Sequence, residues 1–146
     1  MHLQLLKASH NHETIIKNLM QFYKYDFSEF VDIDVQKDGL FEAYKFLDEY
    51  WKDNNNRFPY IIQKDKKYAG FVLVKFIESA QRKYFSIAEF FVMKKYRREG
   101  IGKTIAHRIF DLHKGTWEVF QKENNKPAQL FWNSVINEYT KGNFAE

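Results

Sequence analysis

YFSIAEFFVMKKYRREGIGKTIAHRIFDLH, residues 84–113, is the stretch from which the rest of the chain is read. Its opening half, with Lys83 before it, is rich in β-branched and aromatic residues (Phe85, Ile87, Phe90, Phe91, Val92) and apolar on both alternating faces. A strand covered on both sides reads this way. A basic turn follows, with Lys94, Lys95, Arg97 and Arg98. Gly100 and Gly102 then open a segment in which Ile101, Ile105, Ile109 and Leu112 recur at helical spacing. The order is strand, glycine turn, helix.

The first amide hydrogens of a helix lack intrahelical partners and sit at its partially positive end, so they suit an anion. Glycines there let the backbone approach a ligand, and nearby cations add attraction at longer range. A phosphate or diphosphate is the natural guest, and spacing distinguishes its carriers. A Walker A loop ending in Gly102, Lys103 and Thr104 needs glycine at 97, where Arg97 stands. A dinucleotide fingerprint needs a third glycine at 105, where Ile105 stands.

What does fit is Arg97-x-x-Gly100-x-Gly102 behind an apolar strand ending in Val92. It resembles the (Gln/Arg)-x-x-Gly-x-(Gly/Ala) diphosphate loop of the GNAT N-acetyltransferase superfamily. A second match agrees with it: Asn125-x-x-Ala128, followed by Phe131 and Trp132, resembles the start of that superfamily's late helix. The resemblance covers most of the chain. It implies an α+β fold, a mixed and mostly antiparallel central sheet flanked by about four helices, and acetyl-CoA as cosubstrate.

Composition agrees with a globular protein: 146 residues, 45% hydrophobic and 18% aromatic, read as a single domain over residues 1–146. No run of about 18 apolar residues occurs, and the start does not read as a signal peptide, so a cytoplasmic protein is expected, with no membrane partner. The absence of cysteine excludes disulfides, thiolate metal sites and a cysteine acyl-enzyme. A net charge of +4 permits nucleic-acid binding through the Lys94–Arg98 patch, but acidic and basic residues are interspersed and the aromatics fall at core spacings. No nucleic-acid partner is expected.

Taken in order, residues 2–8 read as a strand and His12–Tyr25 as an amphipathic helix capped by Ser9 or Asn11. His10 and His12 lack a third ligand nearby, so a solvated helix start is the reading and no metal is expected. Residues 25–39 form the most acidic patch, with Asp26, Glu29, Asp32, Asp34 and Asp38. It reads either as a solvated loop or, through the resemblance, as the border of an acceptor pocket for a cationic small-molecule or peptide amine. A second helix is expected over residues 40–52. Strands follow at 58–64 and 67–78, joined at Asp65 and Lys66, then a fifth strand at 116–121 and a helix from Pro127 to Tyr139. After that helix the superfamily usually adds a Gly-Phe and further strands. Here only Gly142, Asn143, Phe144 and two more residues remain, so the last strand is short or missing, and a homodimer partner is one way to cover the edge.

The resemblance also assigns roles. Backbone groups of Phe91 and Val92 would pair with the pantetheine arm, with an amide near Val92 as oxyanion donor. Behind Arg97, the amides of Arg98, Gly100, Ile101, Gly102, Lys103 and Thr104 would hold the diphosphate, and Asn125 would touch the pantetheine or thiol end. An acceptor like lysine, with a pKa near ~10, must lose a proton before it attacks. Glu89, placed by simple alternation in the apolar row of Phe85, Ile87, Phe91 and Met93, is one candidate base, and Glu118 is the other. The superfamily often uses a late-helix tyrosine to protonate the leaving thiolate. Trp132 stands at that position, which leaves Tyr139 as candidate acid. The function implied is direct acetyl transfer to a primary amine. The alternative is a catalytically silent acyl-CoA-binding or sensor module.

Overall fold

A computed structural model describes residues 2–145. Five strands form one sheet in the order β1 (Leu3–Lys7), β2 (Arg57–Lys64), β3 (Lys67–Glu78), β4 (Lys83–Val92) and β5 (Trp117–Glu118). The first four pair antiparallel, and β5 runs parallel to β4. Three α-helices cover it: α1 (Glu13–Phe27), α2 (Ile101–Leu112) and α3 (Lys126–Thr140).

β3 explains why there are two cores. Its run Phe71, Val72, Leu73, Val74 is fully buried, and alternation sends Phe71 and Leu73 to one face and Val72 and Val74 to the other. Phe71 and Leu73 pack with Ile16, Leu19 and Met20 of α1. Val72 and Val74 pack with Ile105 and Ile109 of α2 and Trp132 and Val135 of α3. Each such side chain contributes about 2 kcal/mol on leaving water. The β2–β3 hairpin turns on Asp65 and Lys66, both with positive φ (50° and 67°). Two left-handed residues in sequence match the right-handed twist of the flanking strands, without the usual glycine. Among the described residues no helix is long and apolar enough to cross a membrane.

Two expectations about elements are corrected. The helix expected over residues 40–52 is absent; only Leu47–Trp51 winds, as a 3-10 turn, and Phe46 before it is left-handed (φ 63°). Side chains of α1 take the backbone groups an α-helix would need: Gln21 accepts from the Phe41 N–H at 2.8 Å and donates to its carbonyl at 3.0 Å, and Lys24 donates to the Glu42 carbonyl. Tertiary contacts thus override a favourable local pattern. The fifth strand is two residues long rather than six, and residues 141–145 add no strand.

A bulge in β4 shapes everything nearby. Leu73 pairs with Glu89 and Val74 with Ile87, so Ala88 is the extra residue. One inserted residue reverses the alternation. Phe85 and Ile87 face α2 and α3, whereas Glu89 and Phe91 face α1, so Glu89 does not share a row with Phe85 and Ile87.

Candidate active site

β4 and β5 pair only at Phe85 and Ser86. Beyond that point they diverge, and a cleft of about 760 Å³ opens between Ile87–Val92 and Val119–Lys122. The α2 start, the end of α1 and the first turns of α3 close its other sides. Along β4 the Met93 amide donates to Ala69 at 2.8 Å, and Phe91 pairs with Phe71. By the antiparallel alternation, the Phe91 backbone groups therefore turn towards β3 and those of Val92 turn towards the cleft. This corrects the expectation for Phe91: of the two residues, only Val92 offers its backbone. The Val92 carbonyl already accepts from Arg97 Nε at 2.8 Å, which leaves the Val92 amide.

At the turn, Arg98 (φ 69°) and Gly100 (φ 75°) are both left-handed, and α2 begins at Ile101 without a side-chain cap. Among the described residues, no backbone acceptor meets the amides of Arg98, Glu99, Gly100, Ile101, Gly102 or Lys103. The Thr104 amide donates to the Gly100 carbonyl at 3.1 Å, and Thr104 does not line the cleft, so the open run ends one residue earlier than expected. Five of these six donors, all but that of Glu99, belong to residues that line the cleft, and with the Arg98 side chain beside them they form a cradle for an anion; Lys103 is paired with Glu138 at 2.9 Å.

Arg97 plays a different role. Its guanidinium reaches the Asp26 carboxylate at 2.6 Å while Nε holds Val92, so it braces the turn against both β4 and α1. Lys94 joins the same carboxylate at 3.6 Å. Asn125 is buried and caps α3, its Oδ1 accepting from the Ala128 amide at 3.1 Å. Its Nδ2 has no protein partner among the described residues and Asn125 lines the cleft, so this donor is available to a ligand. Trp132 is buried in T-shaped contact with Phe90 at 5.1 Å.

On the α1 side of the cleft, Glu89 accepts one hydrogen bond from the Tyr23 hydroxyl at 2.9 Å and another from the Tyr44 hydroxyl at 2.8 Å. Burial raises its carboxyl above the usual carboxylate range, against the two phenols, which favour the ionised form. Both phenols are pushed far up, by burial first and the Glu89 charge second. A partly buried carboxylate held by two donors in a cleft is the arrangement of a general base.

The other candidates lie elsewhere. Glu118 is exposed, pairs with Arg82 and does not line the cleft. The Tyr139 hydroxyl donates to Asp111 at 2.6 Å and accepts from Lys114 at 3.2 Å, outside the cleft. Of the acidic patch only Asp26 lines the cleft; Glu29, Asp32, Asp34 and Asp38 are exposed. His12 closes a capping box with Ser9. Tyr23, Tyr44 and Asp26 are the site residues the sequence did not single out. Tyr23 looked like a member of an apolar stripe, Tyr44 like a residue of a helix, and Asp26 like one of five acids in a patch read either as a solvated loop or as the border of an acceptor pocket.

The family model of the GNAT acetyltransferases matches residues 17–135. Among curated proteins none matches. Among solved structures, a possible acetyltransferase from Clostridium difficile 630 is similar with TM-score 0.73 and 15% identity, over 93% of this chain and 90% of that one. A predicted acetyltransferase from Clostridium acetobutylicum, solved with acetyl-CoA, gives 0.65 and 15%, over 99% and 91%. An aminoglycoside acetyltransferase from an uncultured soil metagenomic sample, in complex with sisomicin, gives 0.64 and 18%, over 91% and 86%. At such identities these likenesses speak for the fold. The family match spans most of the chain and ends on the helix that Asn125 caps: the protein belongs to the acetyltransferase (GNAT) family, whose cosubstrate is acetyl-CoA.

Proposed function

We propose that the protein is an acetyl-CoA-dependent N-acetyltransferase that moves the acetyl group directly from the thioester to a primary amine, with Glu89 taking the amine's proton. The observation that carries this reading is the shared cleft. One wall offers five open amides for a diphosphate, and the α1 side offers a carboxylate with a raised pKa.

The residues present fit the cosubstrate. Arg98–Lys103 supply donors and positive charge for the diphosphate, the unpaired β4 edge at Val92 suits an extended amide-bearing arm, and Asn125 Nδ2 is a further donor. Acetyl-CoA supplies an activated acyl group. The Val92 amide, turned towards the cleft, would donate to the carbonyl oxygen as charge develops on it. Glu89 removes the amine's proton, and its raised pKa narrows the gap to that of the amine. A neutral amine would then attack the thioester carbonyl, its C–N bond forming as the C–S bond breaks, and the CoA thiolate would leave and take up the proton shed by the nitrogen, with no covalent enzyme intermediate, in keeping with the lack of cysteine.

Calorimetric titration with acetyl-CoA and a thiol-release assay across amines test the reading together. Binding plus amine-dependent thiol release, lost in Glu89→Gln with binding retained, is the expected result. Binding without release for any amine identifies a silent acyl-CoA-binding module instead.

A further inference from the structure

The α1 side of the cleft says more about the acceptor than the acidic patch does. Tyr23, Phe27 and Phe30 line it, and the Tyr23 ring packs against Phe27 at 5.6 Å and Phe91 at 5.6 Å. The wall beside Glu89 is therefore aromatic, a surface that takes up an apolar body and offers few partners for hydroxyls.

Charge points the same way. Among the described residues two carboxylates line the cleft, Asp26 and Glu89, and of the four cations there Lys103 is paired with Glu138 at 2.9 Å and Arg97 with Asp26, which leaves Arg98 and Lys122. Asp26 is already matched by Arg97 and Lys94. Glu89 forms no ion pair among the described residues, so it alone offers an unmatched negative charge. One such charge answers one ammonium. A second or third ammonium on the same acceptor finds no further unmatched carboxylate among the described residues that line the cleft.

The cleft is also strapped. The Asn124 side chain donates to the Phe30 carbonyl at 2.7 Å, tying the turn after α1 to the segment before α3. Phe30 and Asn125 both line the cleft, so this bond holds two segments of its lining together.

We infer that the acceptor is a compact primary amine with one positive charge on an aromatic or alkyl body, its nitrogen at Glu89 and its body against Tyr23, Phe27 and Phe30. The inference rests on the transferase reading and sharpens it. It also separates this chain from the sisomicin-bound relative in the fold, because a polyamino sugar carries several ammonium groups and many hydroxyls.

The test is thiol release with acetyl-CoA and four acceptors: 2-phenylethylamine, hexylamine, spermidine and sisomicin. The expected kcat/KM for the two monoamines exceeds that for spermidine and sisomicin by at least about tenfold, the discrimination an apolar pocket supplies. In Phe30→Ala, the KM for 2-phenylethylamine rises several-fold while kcat changes little, because the lost contact exists in ground and transition state alike. Equal or better turnover of the polycations overturns the inference and leaves the transferase intact. Thiol release from none of the four amines, with acetyl-CoA bound, overturns the inference, and no release from a wider panel that includes peptide amines overturns the transferase reading as well.

Discussion

Arg97 and Asp26 stand 71 positions apart in the chain, and their side chains meet at 2.6 Å on the wall of the cleft. The contact makes the first residue of the diphosphate loop a brace, and it neutralises a carboxylate beside the anion cradle. Arg97→Ala therefore removes a support and also bares a negative charge next to the diphosphate. Acetyl-CoA affinity should fall about tenfold in Arg97→Ala, and the Arg97→Ala/Asp26→Ala double variant should recover some of that loss. Calorimetry on the two single variants and the double checks it; additive losses would contradict the neutralising role.

Glu89 sets the pH behaviour. Its carboxyl is raised by burial and acts when ionised, so kcat/KM should fall as the pH drops through a value above the usual carboxylate range. Tyr44 donates to the ionised form, so Tyr44→Phe should move that acid limb to higher pH. A limb that stays in place or moves down would contradict the assignment.

The same shift has a stability consequence of definite sign. A carboxyl whose pKa is raised on folding contributes stability that is present below its unfolded pKa and is lost as the pH rises through the folded value. Ionised Glu89 thus costs stability at neutral pH. Glu89→Gln should be inactive yet no less stable than the parent at pH 7, and Tm measured from pH 4 to 8 should show a flatter fall on the alkaline side.

Gly70 is fixed by the approach of two strands. A Cβ at this position would lie 1.9 Å from the Phe91 carbonyl oxygen. To admit it, β3 and β4 would have to move apart right beside Val92. Gly70→Ala should cost more than about 4 kcal/mol in denaturant unfolding, the range of severe backbone clashes. A cost under about 1 kcal/mol would show that the strands yield easily.

Tyr139 and Glu118 serve as controls. Each lies outside the cleft and is bonded to its own local partners. Tyr139→Phe and Glu118→Gln should retain kcat/KM within about twofold, since exposed polar contacts of this kind contribute little. A loss of about a hundredfold in either would return that residue to the proton path.

Much of this site was legible because it depends on local pattern. The apolar run to Val92, the cations and Gly100 and Gly102 define a strand, a turn and a helix start within a short span, and backbone amides follow from that order alone. The base was harder. Glu89 could be named from its place among apolar residues, but its face could not, because the bulge at Ala88 has no sequence mark and reverses the alternation. Tyr44 was hidden in a segment with a helical pattern that Gln21 and Lys24 hold in another shape. Asp26 was hidden in composition, since nothing local distinguishes it from Asp32 or Asp34; only α1 and the basic turn, folded together, bring it to Arg97.

The most direct test compares acetyl-CoA with S-acetylpantetheine, which keeps the thioester arm and lacks the diphosphate and the nucleotide beyond it, and with acetyl-dephospho-CoA, which keeps the diphosphate and lacks only the 3′-phosphate, in calorimetric titration at one salt concentration. If the open amides of Arg98–Lys103 hold the diphosphate, acetyl-CoA and acetyl-dephospho-CoA should both bind about a hundredfold more tightly than S-acetylpantetheine, as several charge-assisted hydrogen bonds allow. Equal affinity for acetyl-dephospho-CoA and S-acetylpantetheine, or no binding of acetyl-CoA, would contradict the account at its base.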